Sequence, residues 1–379
     1  MSLSSSPNLD TKQHYPILDG LRGVAAVMVV LMHTNEVFDD GSRFKLMINH
    51  AYLAVDFFFA LSGFVVAYAY DDRWSKMTQW EFYKRRLVRL QPMVVIGSVV
   101  GALLFYFQAS PMFPLVAGTP VWKVLLLMII GATLLPVPVS MDIRGWQEMH
   151  PLDGPAWSLF YEYIANILYA TLLRRFSRTL LSVVVVLAAA LLAGYLLFGN
   201  EGDLIGGWSL TGDQLFIGFT RVLYPFCAGV LLCRIGKLIR IPHAFGWCSL
   251  IMIVVLSIPR IGDEHSLWMN GLYEAVIVIG VFPVIVSMGA GGVIHHPRSA
   301  RFCKFLGDIS YPLYISHYPI IYTYTAWITR NKIPFGPKAW VVGAGVVAAS
   351  VTLAYGYLRL YDAPVREWLR KKVLVRSRG

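Results

Sequence analysis

Ten long apolar runs constrain this chain more than any other feature of its sequence. Each run has roughly 17–22 residues before a charged residue or a Pro/Gly break, close to the ~20 residues that a helix needs to cross a bilayer. Hydrophobic residues make up 56% of the chain and charged residues 15%, whereas soluble domains are about half apolar and a quarter charged. The sequence therefore predicts an all-α, polytopic membrane helix bundle of about ten transmembrane helices. The runs begin near Leu18, Tyr52, Pro92, Ala156, Leu180, Asp213, Ala244, Gly271, Ser310 and Ala339.

An eleventh apolar run, Val121 to Leu135, is shorter and is followed by a Pro-Val-Pro sequence. The distribution of Lys and Arg decides its placement, because cytoplasmic loops are enriched in these residues. If the N-terminus is cytoplasmic and the short run does not cross, 23 Lys and Arg residues lie inside and nine outside, with Arg359 within the last span. If the short run crosses, this bias largely vanishes. The sequence therefore predicts a re-entrant or interfacial helix on the outer side, with both termini in the cytoplasm.

The chain is expected to form one membrane domain, residues 17–360, between a cytoplasmic N-terminal segment, residues 1–16, and a basic cytoplasmic tail, residues 361–379. The tail is predicted to form an interfacial helix, and the polar N-terminal segment argues against a signal peptide. The net charge of +11 is attributed to orientation in the bilayer and not to nucleic acid, because the basic residues lie between the apolar runs. The four cysteines lack the spacing of a metal site, so no metal is expected.

The first apolar run carries Asp19, Arg22, His33 and Glu36. Ionisable side chains within a span are costly and are therefore functional candidates. Arg22 and His33 are eleven residues apart, which is within about 20° of three helical turns, so both lie on one face about 16 Å apart along the axis. Taken singly, a snorkelling arginine and a capping histidine are the simpler interpretations. The pair at this spacing favours function, because it joins a fixed positive charge to a titratable base.

A cluster of basic residues lies just before the third apolar run, within Phe82 to Pro92. Arg86 and Arg89 are three residues apart and share a helical face, while Pro92 suits the first turn of the span. Guanidinium groups at the cytoplasmic boundary suit a phosphate-bearing ligand. Composition alone favours the simpler alternative, an ordinary positive-inside anchor.

The segment Pro155 to Glu162 opens another span with polar groups. Ser158 and Glu162 are four residues apart and can face the same way. A carboxylate within an apolar run needs a partner, and His33 is expected at a similar depth. The alternative is a structural ion pair for Glu162, with Trp157 as an interfacial aromatic residue.

A further polar segment, Gly307 to His317, lies in the ninth run. Ser310 and His317 are seven residues apart and again share a face, so His317 is a candidate catalytic residue, with a hydrogen-bonded structural histidine as an alternative of at least equal weight. The run Asp56 to Phe64 is interpreted as packing, in which Ser62 and Gly63 permit close approach of another helix.

These segments, in this order, resemble acyltransferase family 3, a family of integral-membrane O-acyltransferases that are mostly bacterial. The resemblance extends from Ile17 to about Arg359. It implies a ten-span fold with both ends in the cytoplasm, which agrees with the charge distribution. The matching segments are Leu18 to Gly23 followed by His33, then Asp56 to Phe64, Arg85 to Pro92, Trp157 to Glu162 and Ile309 to His317.

The resemblance implies transfer of an acyl group, usually acetyl from acetyl-CoA, to a hydroxyl group outside the membrane. It marks Arg22 with His33, and Arg86 with Arg89, as functional pairs, so the three arginines are candidate acyl-CoA ligands. His33 is then a candidate general base or a carrier of the acyl group, and Glu162 a candidate to orient its imidazole. Candidate supporting residues are Asp19, Ser158, Ser310, Tyr311 and His317.

The expected partners are the lipid bilayer of the bacterial inner membrane, acyl-CoA, and a glycan or glycolipid acceptor such as a cell-surface or exopolysaccharide sugar. A lipid, peptidoglycan or a secreted small molecule is an alternative acceptor. A proton-coupled transporter or flippase is a third hypothesis, because a polar stripe can also carry a proton or a solute. The absence of a sequence repeat weakens that hypothesis. The acyl chain length and the oligomeric state stay open.

Overall fold

The computed structural model describes residues 12, 14–39, 42–294 and 296–375, and it folds them into α-helices without a β-strand. The prediction of an all-α bundle is confirmed for these residues. Short π-helical segments join α9 to α10 and α13 to α14. The helices are α1 (Pro16–Glu36), α2 (Ala54–Tyr70), α3 (Gln79–Leu104), α4 (Val121–Ala132), α5 (Ala156–Thr171), α6 (Arg178–Phe198), α7 (Gly212–Ile235), α8 (Ala244–Ser257), α9 (Leu267–Ala275), α10 (Phe282–Gly291), α11 (Pro297–Ser316), α12 (Tyr318–Asn331), α13 (Pro337–Tyr357) and α14 (Ala363–Leu369).

Within the described residues, 7 helical segments are long and apolar enough to cross a membrane. Each of them contains the start of a predicted run, and the chain is therefore a multi-pass membrane protein. The total of ten spans and the sides of the two termini stay predictions. The segments are Pro16–Glu36, Ala51–Tyr70, Gln79–Gln108, Arg178–Phe198, Gly212–Ile235, Leu267–Gly291 and Pro337–Leu374.

The three other predicted spans coincide with helices that are short or interrupted. α5 has 16 residues and α8 has 14, fewer than the ~20 that a straight crossing needs. The run that begins at Ser310 is divided between α11 and α12, which meet at His317. The division follows from Pro319 in the first turn of α12, because proline lacks the N–H group that continues a helical hydrogen-bond ladder.

Two details of the predicted boundaries were wrong. α3 begins at Gln79 and not near Pro92, because Thr78 and Glu81 form a reciprocal cap. The Thr78 hydroxyl accepts a hydrogen bond from the Glu81 N–H at 3.2 Å, and the Glu81 carboxylate accepts one from the Thr78 N–H at 2.8 Å. The basic cluster is therefore part of one continuous helix. Arg221, one of the nine basic residues that the charge distribution assigned to the outer side, lies inside α7 and forms a buried ion pair with Asp56 at 2.7 Å.

The short apolar run forms the 12-residue helix α4, which is too short to cross a bilayer. Its predicted place on the outer side stays a prediction. At the C-terminal end, α14 and the π-helical segment Arg370–Val375 confirm a helical tail. Residues 1–11, residue 13 and residues 376–379 of the predicted terminal segments lie outside the described residues.

α1 is the central helix of the bundle, in contact with α2, α8, α11, α12 and α13. Gly23 allows a close approach to α11, since a Cβ atom at this position would lie 2.5 Å from the Leu306 carbonyl oxygen. α2 and α7 meet in the same way, since a Cβ atom on Gly63 would lie 2.0 Å from the Phe226 carbonyl oxygen. The predicted role of Gly63 in close helix packing is confirmed. The contact at Gly23 brings Arg22 beside α11.

Candidate active site

Two cavities inside the bundle share α1 as a common wall. The larger has a volume of about 690 Å³ and is lined by Arg22, Arg86 and Arg89; we call it the arginine cavity. The smaller has a volume of about 260 Å³ and is lined by His33 and Glu36; we call it the histidine cavity. The predicted polar stripe of α1 therefore presents its arginine to one cavity and its histidine to the other.

Arg22 is fixed in the wall of the arginine cavity by two neighbours. Its Nε donates a hydrogen bond to the Ser310 hydroxyl at 2.9 Å, and its Nη2 donates to the Asp19 carboxylate at 2.8 Å. The second Asp19 oxygen lies 2.7 Å from His14 Nε2. The structure thus brings together three residues that the sequence singled out, and it fixes the direction in which the guanidinium points.

Arg86 forms an ion pair with Glu162, whose carboxylate oxygen lies 2.7 Å from Arg86 Nη2. The same oxygen accepts a hydrogen bond from the Ser62 hydroxyl at 2.8 Å. Glu162 lines the arginine cavity and not the histidine cavity. The prediction that Glu162 orients the imidazole of His33 was therefore wrong. Although Glu162 and His33 were expected at similar depth, Glu162 is bound to an arginine in the arginine cavity, whereas His33 faces the histidine cavity.

Arg89 differs from the other two arginines because it makes no hydrogen bond or ion pair with any described residue. Its side chain is exposed and lines the arginine cavity. Arg22 and Arg86 are each neutralised by a carboxylate, whereas the charge of Arg89 is not. Arg89 is therefore the guanidinium in this cavity that is best placed to take an anionic ligand.

His33 is held by Glu36, one helical turn further along α1. The distance from His33 Nδ1 to the Glu36 carboxylate is 2.8 Å. A carboxylate accepts hydrogen bonds, so Nδ1 is the donor, and in a neutral ring Nε2 is then the nitrogen with the lone pair. The imidazole side chain is 17% exposed, and the ring packs edge-on against Tyr318 with centroids 4.6 Å apart. A carboxylate held against an imidazole in this way can orient it for proton transfer.

His317, at the junction of α11 and α12, is fully buried and lies directly beside His33, with ring centroids 5.5 Å apart. Its Nδ1 donates to the main-chain oxygens of Tyr314 at 2.8 Å and Leu313 at 3.1 Å. Its Nε2 has no hydrogen-bond partner among the described residues. The structure therefore brings both predicted histidines together, with His317 packed behind the ring of His33.

The two remaining candidates, Ser158 and Tyr311, line the arginine cavity. The Ser158 hydroxyl donates to the Pro155 carbonyl at 3.1 Å and accepts from the Tyr314 hydroxyl at 2.8 Å. The Tyr311 hydroxyl donates to the Leu90 carbonyl at 2.5 Å. Both hydroxyls bond to main-chain groups, so each ties the cavity wall together.

Sequence reasoning missed the loop between α4 and α5, which supplies Trp146 and Glu148 to the wall of the histidine cavity. Glu148 is 6% exposed, accepts a hydrogen bond from the Tyr322 hydroxyl and lies 3.7 Å from Arg144 Nε. Burial raises the pKa of Glu148 to about 7, against the opposing effect of Arg144. The signal in the sequence was a series of ionisable residues within a loop that adjoins a span, from Asp142 to Asp153.

The fold and the two cavities define a multi-pass membrane protein with paired arginines on one side of α1 and a carboxylate-bound histidine on the other. Comparison with protein families gives the particular class, because a family described as an acyltransferase domain matches residues 15–359, nearly the whole chain. The chain belongs to this family, acyltransferase family 3. The resemblance that the motifs indicated is confirmed.

Curated relatives agree with this assignment. The chain is 34% identical over 181 residues to protein 2 in the picA locus of Rhizobium radiobacter, which covers 44% of this chain and 85% of the relative. It is 24% identical over 377 residues to the O-acetyltransferase OatA of Staphylococcus aureus, covering 94% of this chain and 58% of the relative. A putative O-acetyltransferase of the same organism is 22% identical with the same coverage. The chain thus spans little more than half the length of OatA. No solved structure matches the chain.

Proposed function

We propose that this chain is a membrane O-acyltransferase that moves an acetyl group from acetyl-CoA, or another acyl group from its CoA thioester, to a hydroxyl group on the outer side of the membrane. The observation that carries the proposal is α1 itself. One helix presents a guanidinium to the larger cavity and a carboxylate-held imidazole to the smaller one. A donor and an acceptor can therefore approach from opposite ends of the same helix.

The arginine cavity is the proposed donor site. Its volume of about 690 Å³ lies within the range of roughly 300–1,000 Å³ that is typical of small-molecule sites. A CoA nucleotide carries several phosphates, and arginine binds phosphate with two parallel hydrogen bonds. The charge distribution predicts that this cavity faces the cytoplasm, where acyl-CoA is found. The thioester end of a flexible arm must then travel about 16 Å along α1 to reach His33.

His33 is the proposed general base. Its free Nε2 accepts the proton of the acceptor hydroxyl while the hydroxyl oxygen attacks the thioester carbonyl carbon. The new C–O bond forms, the C–S bond breaks, and the leaving CoA thiolate takes the proton back from Nε2. Glu36 stabilises the imidazolium that exists in between. In this proposal Glu36, and not Glu162, has the orienting role, and Glu162 instead positions Arg86.

The histidine cavity is the proposed acceptor site, and a sugar hydroxyl of a cell-surface or exported glycan is the proposed substrate. The similarity to proteins named O-acetyltransferase supports an oxygen acceptor. Aromatic side chains and carboxylates line the cavity together, which suits a ring with apolar faces and hydroxylated edges. We place the protein in the bacterial inner membrane, because a cytoplasmic donor and an extracytoplasmic acceptor meet there.

The test is to express the chain in bacteria and to measure base-labile acetate in the cell envelope by mass spectrometry, together with transfer from isotope-labelled acetyl-CoA in membrane vesicles. His33→Ala should bind acetyl-CoA normally but lower transfer by about 10² or more, the usual contribution of a general base. His265→Ala, an exposed histidine outside both cavities, is the matched control. Wild-type transfer by folded His33→Ala protein would contradict the proposal.

A further inference from the structure

The two cavities are separate in this structure, although the proposed reaction requires that the thioester reach His33. Val55 and Tyr314 are the residues, among those described, that line both cavities. The wall between donor and acceptor is therefore thin. Val55 belongs to the first turn of α2 and has a short, apolar side chain, whereas Tyr314 is the large side chain of the pair.

We propose that Tyr314 determines whether the acyl group goes to the acceptor or to water: its ring closes the passage between the two cavities and swings aside to admit the thioester arm. The inference rests on the proposed function. It assigns to this residue a role in the specificity of the transfer and not in its chemistry.

The position of Tyr314 on α11 supports this assignment. Ser310, four residues before it, holds Arg22 at 2.9 Å, and His317, three residues after it, stacks on His33. Residues at these spacings share one helical face, so α11 carries a polar stripe that runs alongside that of α1. Tyr314 lies in the middle of that stripe, between the partner of Arg22 and the neighbour of His33.

The contacts of Tyr314 show how the ring is held. Its hydroxyl bonds to the Ser158 hydroxyl at 2.8 Å, and its ring packs edge-on against Phe58 with centroids 5.4 Å apart. The residue is 6% exposed, so it fills the wall. The hydroxyl is held by the bond to Ser158 and by a longer one of 3.5 Å to the Pro155 carbonyl, both between neutral groups and therefore weaker than bonds to a charged group. Rotation of one side chain therefore opens the wall without moving a helix.

A closed wall has a chemical consequence. Water from the outer side can attack the thioester carbonyl in place of the acceptor, giving acetate and free CoA. While the Tyr314 ring is in place, this water is separated from a donor in the arginine cavity. Loss of the ring should therefore raise acetyl-CoA hydrolysis in the absence of acceptor.

Accessibility labelling tests the wall without any acyl-CoA. A Val65→Cys reporter, in a chain whose four native cysteines are replaced by alanine, places one thiol in the arginine cavity only. An impermeant thiol reagent is then applied to one face of sealed vesicles, and separately to the other. With Tyr314 intact we expect labelling from one face. With Tyr314→Ala we expect labelling from both, and the face that reacts in every variant shows that the protein is folded.

Two substitutions each remove one of the two hydroxyls in the Tyr314–Ser158 hydrogen bond, Tyr314→Phe and Ser158→Ala. Each should raise labelling from the closed face severalfold, and the double variant should add little more, because both remove the same hydrogen bond. Phe305→Ala is the matched control, since Phe305 is an exposed aromatic residue of the same helix and lines neither cavity. It should leave the closed face unreactive.

Equal labelling from both faces with Tyr314 intact overturns the inference, and so does a closed face in Tyr314→Ala. Acceptor-free acetyl-CoA hydrolysis, measured on the same variants without the reporter, separates this inference from the proposed function. If labelling follows the expectation but no variant consumes acetyl-CoA, Tyr314 closes the passage between the cavities and the proposed function is wrong. If acetyl-CoA is consumed but labelling is the same with and without the Tyr314 ring, the proposed function stands and the role assigned to Tyr314 is wrong.

Discussion

Arg89 has no protein partner among the described residues, and its replacement is the most direct probe of the donor site. Arg22 and Arg86 are each bonded to a carboxylate, so removing either leaves a second charged group unpaired in the bundle. Arg89→Ala removes a charge without that penalty. If the guanidinium binds a CoA phosphate, its loss costs one or more hydrogen bonds between charged groups, about 1.5–3 kcal/mol each. The affinity for acetyl-CoA should therefore fall roughly ten- to hundredfold.

Isothermal titration of acetyl-CoA into the detergent-purified protein measures this affinity. Arg89→Lys should recover part of the loss, because lysine supplies the charge but not the paired donors of the guanidinium. Arg359→Ala is the matched control, since Arg359 is exposed, bonds to the Tyr355 hydroxyl and lines neither cavity. Unchanged affinity in folded Arg89→Ala protein would refute the reasoning and leave the cluster as a topological anchor.

Three further predictions concern Glu36, the loop that contains Asp142, and Glu148. Glu36→Gln should lower kcat roughly ten- to hundredfold with little effect on acetyl-CoA binding, because it removes a charged hydrogen bond to the imidazolium; transfer kinetics measure this. A cysteine in place of Asp142 should react with an impermeant thiol reagent in intact cells, because the charge distribution places its loop outside. Glu148→Gln should gain stability relative to the wild type as the pH rises from about 5 to about 8. The pKa of Glu148 is raised from 4.5 to about 7 in the fold, so ionisation above that range destabilises the native state by about 3 kcal/mol.

A specific result would contradict each of these three predictions. Wild-type kcat in Glu36→Gln would mean that the carboxylate does not act through His33. Labelling at position 142 only after lysis would contradict the outer location that the charge distribution assigns to this loop. A constant difference in unfolding free energy between Glu148→Gln and the wild type across this pH range would mean that Glu148 stays ionised in the fold.

The helical segments were predictable because they follow from local composition. An apolar run indicates a helix without reference to any other part of the chain. Each predicted start therefore lies within an observed α-helix or, for Tyr52, in the 3₁₀ turn Ala51–Leu53 that leads into α2. The stripe of α1 was predictable for the same reason, since the angle between Arg22 and His33 depends only on the helical repeat. The start of α3 was missed because its first three turns carry five charged residues, although the Thr78 and Glu81 cap could be recognised in the sequence.

The partner of Glu162 was not predictable in this way. Sequence position gives the depth of a residue along its own helix, but it does not give the direction in which the helix faces its neighbours. His33 and Glu162 were paired on depth alone, whereas packing turned Glu162 toward Arg86 on α3. The wall residue Tyr314 was missed for a related reason. Its role depends on two cavities that exist only after α1, α2, α5 and α11 have packed together.

The ion pairs of the arginine cavity explain how its four arginines, which include Arg366, can share one site before a ligand arrives. Unpaired guanidiniums in a low-dielectric site repel each other and are costly to desolvate. Asp362 offsets the charge of Arg366. Asp19 and Glu162 offset those of Arg22 and Arg86, yet each of these two carboxylates uses only one terminal nitrogen of its arginine. A guanidinium has five N–H donors, so both of these arginines keep donors for a ligand while their orientation is fixed. On this reasoning the carboxylates preorganise the donor site, and Arg89 supplies its uncompensated positive charge.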